Sequence, residues 1–217
     1  ASRLEARRYA AIQGATTELR KAEGMAHDPD TGRLWLALSR VERGLLDGDP
    51  DWDHPELNHL RMEPNRCGVV LELGGDGPGA LDAAGVPMDS DWIVTRSQVV
   101  LAGQPVEDEQ NPCDLEGISN PDNLAWIPGA DLLVVAEDSR FHQHNALWFA
   151  DLETGALSRV VAAPQGAELA GLNWFPDIGG QGYLTISFQH EDPQWMDLGE
   201  DFVASSSGVL GPFPAFD

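Results

Sequence analysis

Three stretches of this chain share one plan. "EGMAHDPDTGRLWLALSR" begins at Glu23, "DNLAWIPGADLLVVAED" at Asp122 and "LAGLNWFPDIGGQGYLTISFQ" at Leu169. Each has a small or apolar strand, a turn containing proline (Pro29, Pro128, Pro176) and a second apolar strand. Short apolar runs bounded by Gly, Pro, Asp and Asn read as strands, because those residues suit the backbone angles of tight turns. Second hairpins follow the first two stretches, in "CGVVLEL" and "NALWFADLETGALSRVV", so the repeating unit is about four strands. Repetition on that scale predicts β-propeller blades. Ten strands are expected, at 24–28, 34–39, 68–73, 93–101, 123–127, 132–137, 146–151, 157–162, 171–175 and 183–189. They make about two and a half four-stranded blades, fewer than the roughly four to eight that close a ring. The expected fold is therefore all-β: a partial propeller with a short N-terminal helix. Residues 1–217 form one domain, the C-terminal part of a larger propeller. A β-sandwich is the alternative.

The helix is expected near the start, where Leu4, Arg7, Arg8 and Ile12 fall at helical spacing. No apolar run reaches the roughly 20 residues of a membrane-spanning helix. Charge narrows the partners further. Thirty-six acidic residues against thirteen basic ones leave a formal charge of −23. Such a surface repels nucleic acid and anionic lipid and suits cations.

Two segments break the strand rhythm, residues 40–66 and 102–121, and loops of that length are often functional. The first contains "DGDPDWDHPELN", in which Asp47, Asp49, Asp51 and Asp53 alternate as the carboxylates of a calcium loop do. Trp52 stands where such a loop needs Gly, and Asn58 where it needs Glu, so the segment reads as an exposed acidic loop. A different acidic set follows the repeat: Glu23 and Glu116 each precede Gly, and Glu168 precedes the third stretch. If blade first strands line a central channel, these three converge on its axis, and converging carboxylates call for a cation. Strand exits form another matched set, with Arg40, Glu42 and Arg43, then Glu137 and Asp138, then Gln189 and His190. Arginine at such a place suits phosphate, because its planar fork meets two oxygens at once. His54, His59, His142 and His144 fit no zinc motif and read as loop histidines. The two cysteines, Cys67 and Cys113, either close a loop of about 47 residues as a disulfide or stay as buried thiols.

Taken together, "EGMAHDPDTGRLWLALSRVERG", "PNRCGVVLEL", "CDLEGISNPDNLAWIPGADLLVVAED", "QHNALWFADLETGAL" and "YLTISFQH" resemble the PhoX-type alkaline phosphatases, in their large secreted bacterial branch. The resemblance covers residues 5–190. It implies a β-propeller that hydrolyses phosphate monoesters at alkaline pH on an iron–calcium cluster at the propeller axis. It also implies export, to the periplasm or beyond, and a Cys67–Cys113 disulfide. By matched position, Glu23, Glu116 and Glu168 become axial metal ligands, with Asp122 and Asn123 in the adjoining polar turn. Arg43 matches an Arg-Gly step beside the phosphate and becomes the catalytic clamp. The family's Thr-Cys-Glu-Glu-like segment, whose cysteine binds iron, has no counterpart here. The chain therefore resembles the family's C-terminal half, and an N-terminal half or partner chain is expected to complete the propeller. A non-catalytic, calcium-binding extracellular propeller that serves as a scaffold or assembly subunit is the alternative function. A propeller lactonase is a third possibility, distinguished by lactone turnover without iron.

Overall fold

The structure is a computed structural model describing residues 3–12, 15–49, 51–53, 60–75, 81, 84–89, 93–190 and 205–216. His54, Asn58 and His59 lie outside the described residues. Strands β1 (Ala22–His27), β2 (Leu34–Leu38), β3 (Val69–Gly74) and β4 (Arg96–Ala102) pair in chain order as one antiparallel sheet. Strands β5 (Pro121–Ile127), β6 (Leu132–Glu137), β7 (Ala146–Asp151) and β8 (Leu157–Ala162) repeat that order in a second. Strands β9 (Glu168–Phe175), β10 (Gln181–Gln189) and β11 (Ser206–Pro214) make a three-stranded third. Helix α1 (Ala6–Ile12) buries no residue. Ten of these strands fall where the sequence pattern puts them; β11 does not follow from it.

Burial along the strands explains their sequences. In β6, "LLVVAE", every residue after the first is buried, because both faces of the middle sheet are covered. In β10, Gly182, Leu184 and Ile186 are buried while Tyr183, Thr185 and Ser187 are not, the period of a sheet covered on one face. The first seam packs Ala26, Trp35, Ala37 and Val70 against Trp126, Leu133, Val135 and Trp148. Trp35 and Trp126 stack there at 4.5 Å between ring centroids. The second seam packs Ile127, Val134 and Leu147 against Leu169, Leu184 and Ile186. Each such large side chain, fully buried, contributes about 1.5–3 kcal/mol.

Each sheet thus covers a face of the next, and the first strands β1, β5 and β9 lie side by side. Three sheets in succession make a propeller arrangement; a sandwich has two, stacked face to face. Gly24 allows the closest approach, since a Cβ there would fall 2.2 Å from the carbonyl oxygen of Asp122. The seam between the first two sheets is also sewn by Asn120, whose amide donates to the carbonyls of Ser39 (2.6 Å) and Arg66 (2.8 Å). A Cys67–Cys113 disulfide, with Cα atoms 5.9 Å apart, ties the lead into β3 to the lead into β5.

The other face of the first sheet differs. Register pairs Met25 with Leu36 and Leu36 with Leu71, as it pairs Leu124 with Val135 and Val135 with Trp148. The face bearing Met25, Leu36 and Leu71 is therefore the counterpart of the second sheet's face that the first sheet covers. Leu60 and Met62 pack on part of it, yet Met25 stays 59% exposed.

Candidate functional site

The site begins with two matching irregularities. The β1–β2 register slips between Ala22 and Met25, and the β5–β6 register slips between Pro121 and Leu124. A bulge takes residues out of the ladder and re-aims their side chains, which is why bulges gather beside binding sites. Here the released residues are Glu23–Gly24 and Asp122–Asn123. In the third sheet Glu168 opens β9 opposite Gln189, whose amide donates to its carboxylate.

These acidic groups act on one another. Asp122 is half-buried, and its carboxyl is pushed up to about 6, first by burial and then by the charges of Glu23, Glu168 and Asp138. Asn123 donates to Asp122 Oδ1 at 3.1 Å, which only partly offsets the repulsion. Glu23 is paired with Lys21 at 2.5 Å, and Glu168 stands 3.8 Å from His190. The donor set is all oxygen, the chemistry of a hard cation such as calcium. It offers no thiolate to iron, because both cysteines are in the disulfide. Among the described residues, no group of three or more His, Cys, Asp or Glu is arranged to hold a metal ion.

Cationic side chains adjoin the acidic ones. A cavity of about 220 Å³ at the seam of the first two sheets is lined by Lys21, Ser39, Arg40, Asn120, Asp138 and Arg140. A second cavity, of about 600 Å³, shares Lys21 and is lined further by Arg7, Arg20, Glu23, Arg43 and Trp52. Lys21 is the chain's sole lysine and adopts a left-handed backbone (φ 54°) just ahead of β1. The spacing of the sequence singled out neither Lys21 nor Arg140, since only the packing of two sheets brings them together.

Beneath this surface lies a buried carboxylate of another kind. Glu137 ends β6 with no exposed surface. It accepts from the backbone N–H of Ser119 (2.8 Å) and Ala146 (2.8 Å), from Trp148 Nε1 (2.7 Å) and from His142 Nδ1 (3.0 Å). His142 lies on the loop between β6 and β7, as expected, and is buried there. Burial opposes its charge, but Glu137 together with the backbone at Asp114 and Cys113 holds its pKa above the ordinary value.

The other expected residues sit as follows. Glu116 is exposed, on the turn where its N–H bonds to Asp114, and is not among the charges that raise Asp122. Glu116 lies on the lead into β5, which starts at Pro121, and Asp122 takes the strand position that matches Glu23. Arg43 (φ 58°) lies over the ring of Trp52 at 4.9 Å and within 3.7 Å of Glu42, in the larger cavity. Asp47 and Asp53 bind the guanidinium of Arg61, Asp53 at 2.8 Å, and Glu18 binds it at 2.8 Å. Asp49 accepts from the N–H groups of Asp51 and Trp52, both at 3.0 Å. Three of the four alternating aspartates, Asp47, Asp49 and Asp53, are therefore engaged by arginine or by their own turn.

No protein-family model matches this chain, and no curated protein matches it with significance. Among solved structures, Pseudomonas fluorescens PhoX in complex with vanadate, a transition-state analogue, superposes with a TM-score of 0.61 over 94% of this chain. The fold is PhoX-like. Identity between the two is 22%, and the match covers 36% of the PhoX chain, so the likeness extends to a little over a third of that protein.

Proposed function

We propose that this chain supplies the C-terminal part of a metal-dependent phosphatase acting on phosphate monoesters. The observation that carries the reading is a set of mutually repelling carboxylates with basic side chains directly beside it, joined at the Lys21–Glu23 pair. Glu23, Asp122, Asn123 and Glu168 would give oxygen donors to calcium, which supplies neutralisation of the phosphoryl group's charge. Lys21, Arg40 and Arg140 bind phosphate oxygens, and the arginines fix orientation through paired N–H groups. Arg43 reaches the substrate from the adjoining cavity. Asp122, titrating near 6, is fully ionised at alkaline pH, where the acidic set then carries its whole charge.

A preceding blade covers the face bearing Met25, Leu36 and Leu71, which has the register of a covered face. The remaining donors, including any thiolate for iron, come from that preceding part. The disulfide fits an exported protein, since thiols stay reduced in the cytosol. The same open face also favours a second reading, a calcium-binding subunit that only assembles with a partner.

Turnover of 4-nitrophenyl phosphate at alkaline pH tests the proposal, on this chain alone and joined to the preceding polypeptide, with calcium and iron analysis. The joined protein is expected to be active and to lose at least 100-fold in Asp122→Asn. A joined protein that holds calcium but hydrolyses no monoester leaves the scaffold reading.

A further inference from the structure

Six of the chain's thirteen basic residues, Arg7, Arg20, Lys21, Arg40, Arg43 and Arg140, line the two cavities that meet at Lys21. In a chain of charge −23 this is a local reversal of sign. The larger cavity also contains an aromatic ring, Trp52, which is 52% exposed.

An exposed tryptophan on a loop is ordinarily free to swing. Here the backbone that carries the ring is held. The backbone N–H of Trp52 donates to Asp49 at 3.0 Å, and its neighbour Asp53 takes both Arg61 and the N–H of Gly48, each at 2.8 Å. Its carbonyl oxygen rests against Gly44, where a Cβ would come within 3.1 Å. Arg43 lies over the indole ring and shares Glu42 with Arg20, at 3.7 and 3.4 Å. The acidic loop thus fixes the main chain at Trp52, and the Arg43 guanidinium covers its half-exposed ring at the wall of a basic cavity.

From this geometry we infer that the larger cavity is a subsite for a flat aromatic group on a phosphoester, with nucleoside monophosphates as the substrate class. The phosphate lies toward Lys21 and the smaller cavity; the base stacks at Trp52 and Arg43. Stacking on a fixed aromatic ring tolerates any base, because each has a π face. A short aliphatic phosphoester has nothing to place there. This assignment builds on the phosphatase reading for the position of the phosphate.

Calorimetric binding of AMP, glycerol 2-phosphate and inorganic phosphate to this chain, to Trp52→Ala and to Trp52→Phe tests it. Expected is AMP at least tenfold tighter than glycerol 2-phosphate, with that advantage lost in Trp52→Ala and largely kept in Trp52→Phe. Inorganic phosphate should bind all three alike. Equal affinity for the two esters, an advantage that survives Trp52→Ala, or no AMP binding at millimolar concentration overturns the subsite. The two readings fail separately. Trp52-dependent AMP binding without turnover in the joined protein sinks the phosphatase and keeps the subsite. Turnover indifferent to Trp52 does the reverse.

Discussion

Two groups of carboxylates in this protein teach opposite lessons about spacing. Asp47, Asp49, Asp51 and Asp53 alternate within seven residues of sequence, the spacing of a cation loop, yet Arg61 takes two of them and backbone N–H groups take a third. Glu23, Asp122 and Glu168 are scattered along the chain, yet the charges of the two glutamates help to raise the cost of ionising Asp122. A carboxylate that already has a cation and turn donors gains little from a metal. One that faces other carboxylates gains most. Proximity in sequence favours the first outcome, because neighbouring residues can form a turn; convergence in space requires the whole fold.

The contrast is open to attack by mutation. Removing the cation of the first group should have the largest effect. Arg61→Ala leaves Glu18 and Asp53, both largely out of solvent, facing each other without their common partner. We expect the melting temperature to fall by roughly 4–8 °C. A fall under 1 °C would mean that Arg61 does not hold the loop.

In the second group the sign reverses. Asp122 has an ordinary value of 3.8 and titrates near 6 in the folded chain, so the folded state binds the proton more tightly than the unfolded one. Its contribution to stability is then most favourable below pH 4 and declines as pH rises through 6. Asp122→Asn should accordingly stabilise the metal-free chain at pH 8 by about 1 kcal/mol, allowing for solvent screening, and by almost nothing at pH 4. Denaturant melts at the two pH values check this. A variant less stable than the parent at pH 8 would show that the repulsion is not felt.

The smallest effect is expected at Asp51, an exposed member of the first group that Arg61 does not bind. Asp51→Asn should change stability by less than about 0.5 kcal/mol. Calcium titrated into the joined protein sharpens the comparison, since Asp51→Asn should leave its affinity unchanged where Asp122→Asn abolishes it.

Much of the fold was legible because the strand–proline turn–strand plan is local chemistry repeated. What escaped was decided by pairing. Strand β11, "SSGVLGPFP", reads as a loop by its Ser, Gly and Pro, and becomes a strand because β10 offers it a ladder edge. The candidate site was half legible for a related reason. Glu23 and Glu168 follow from the repeat, and so does Asp122, which opens the second stretch as Glu23 opens the first; the Glu116–Gly117 step, six residues earlier, only imitates Glu23–Gly24. The matching bulges at Glu23 and Asp122 bear out that pairing. Lys21 and Arg140 were the least visible, since they join Arg40 only when the first two sheets meet.

The bond between Cys67 and Cys113 lies across the seam that brings Glu23 to Asp122. A protease that opens the backbone anywhere between the two cysteines still leaves both fragments on one covalent thread. Strand β1 remains tethered to strand β5, so a nicked molecule keeps Glu23 and Asp122 within reach of each other. Reduction of that one bond, after such a cut, is what would set the halves adrift.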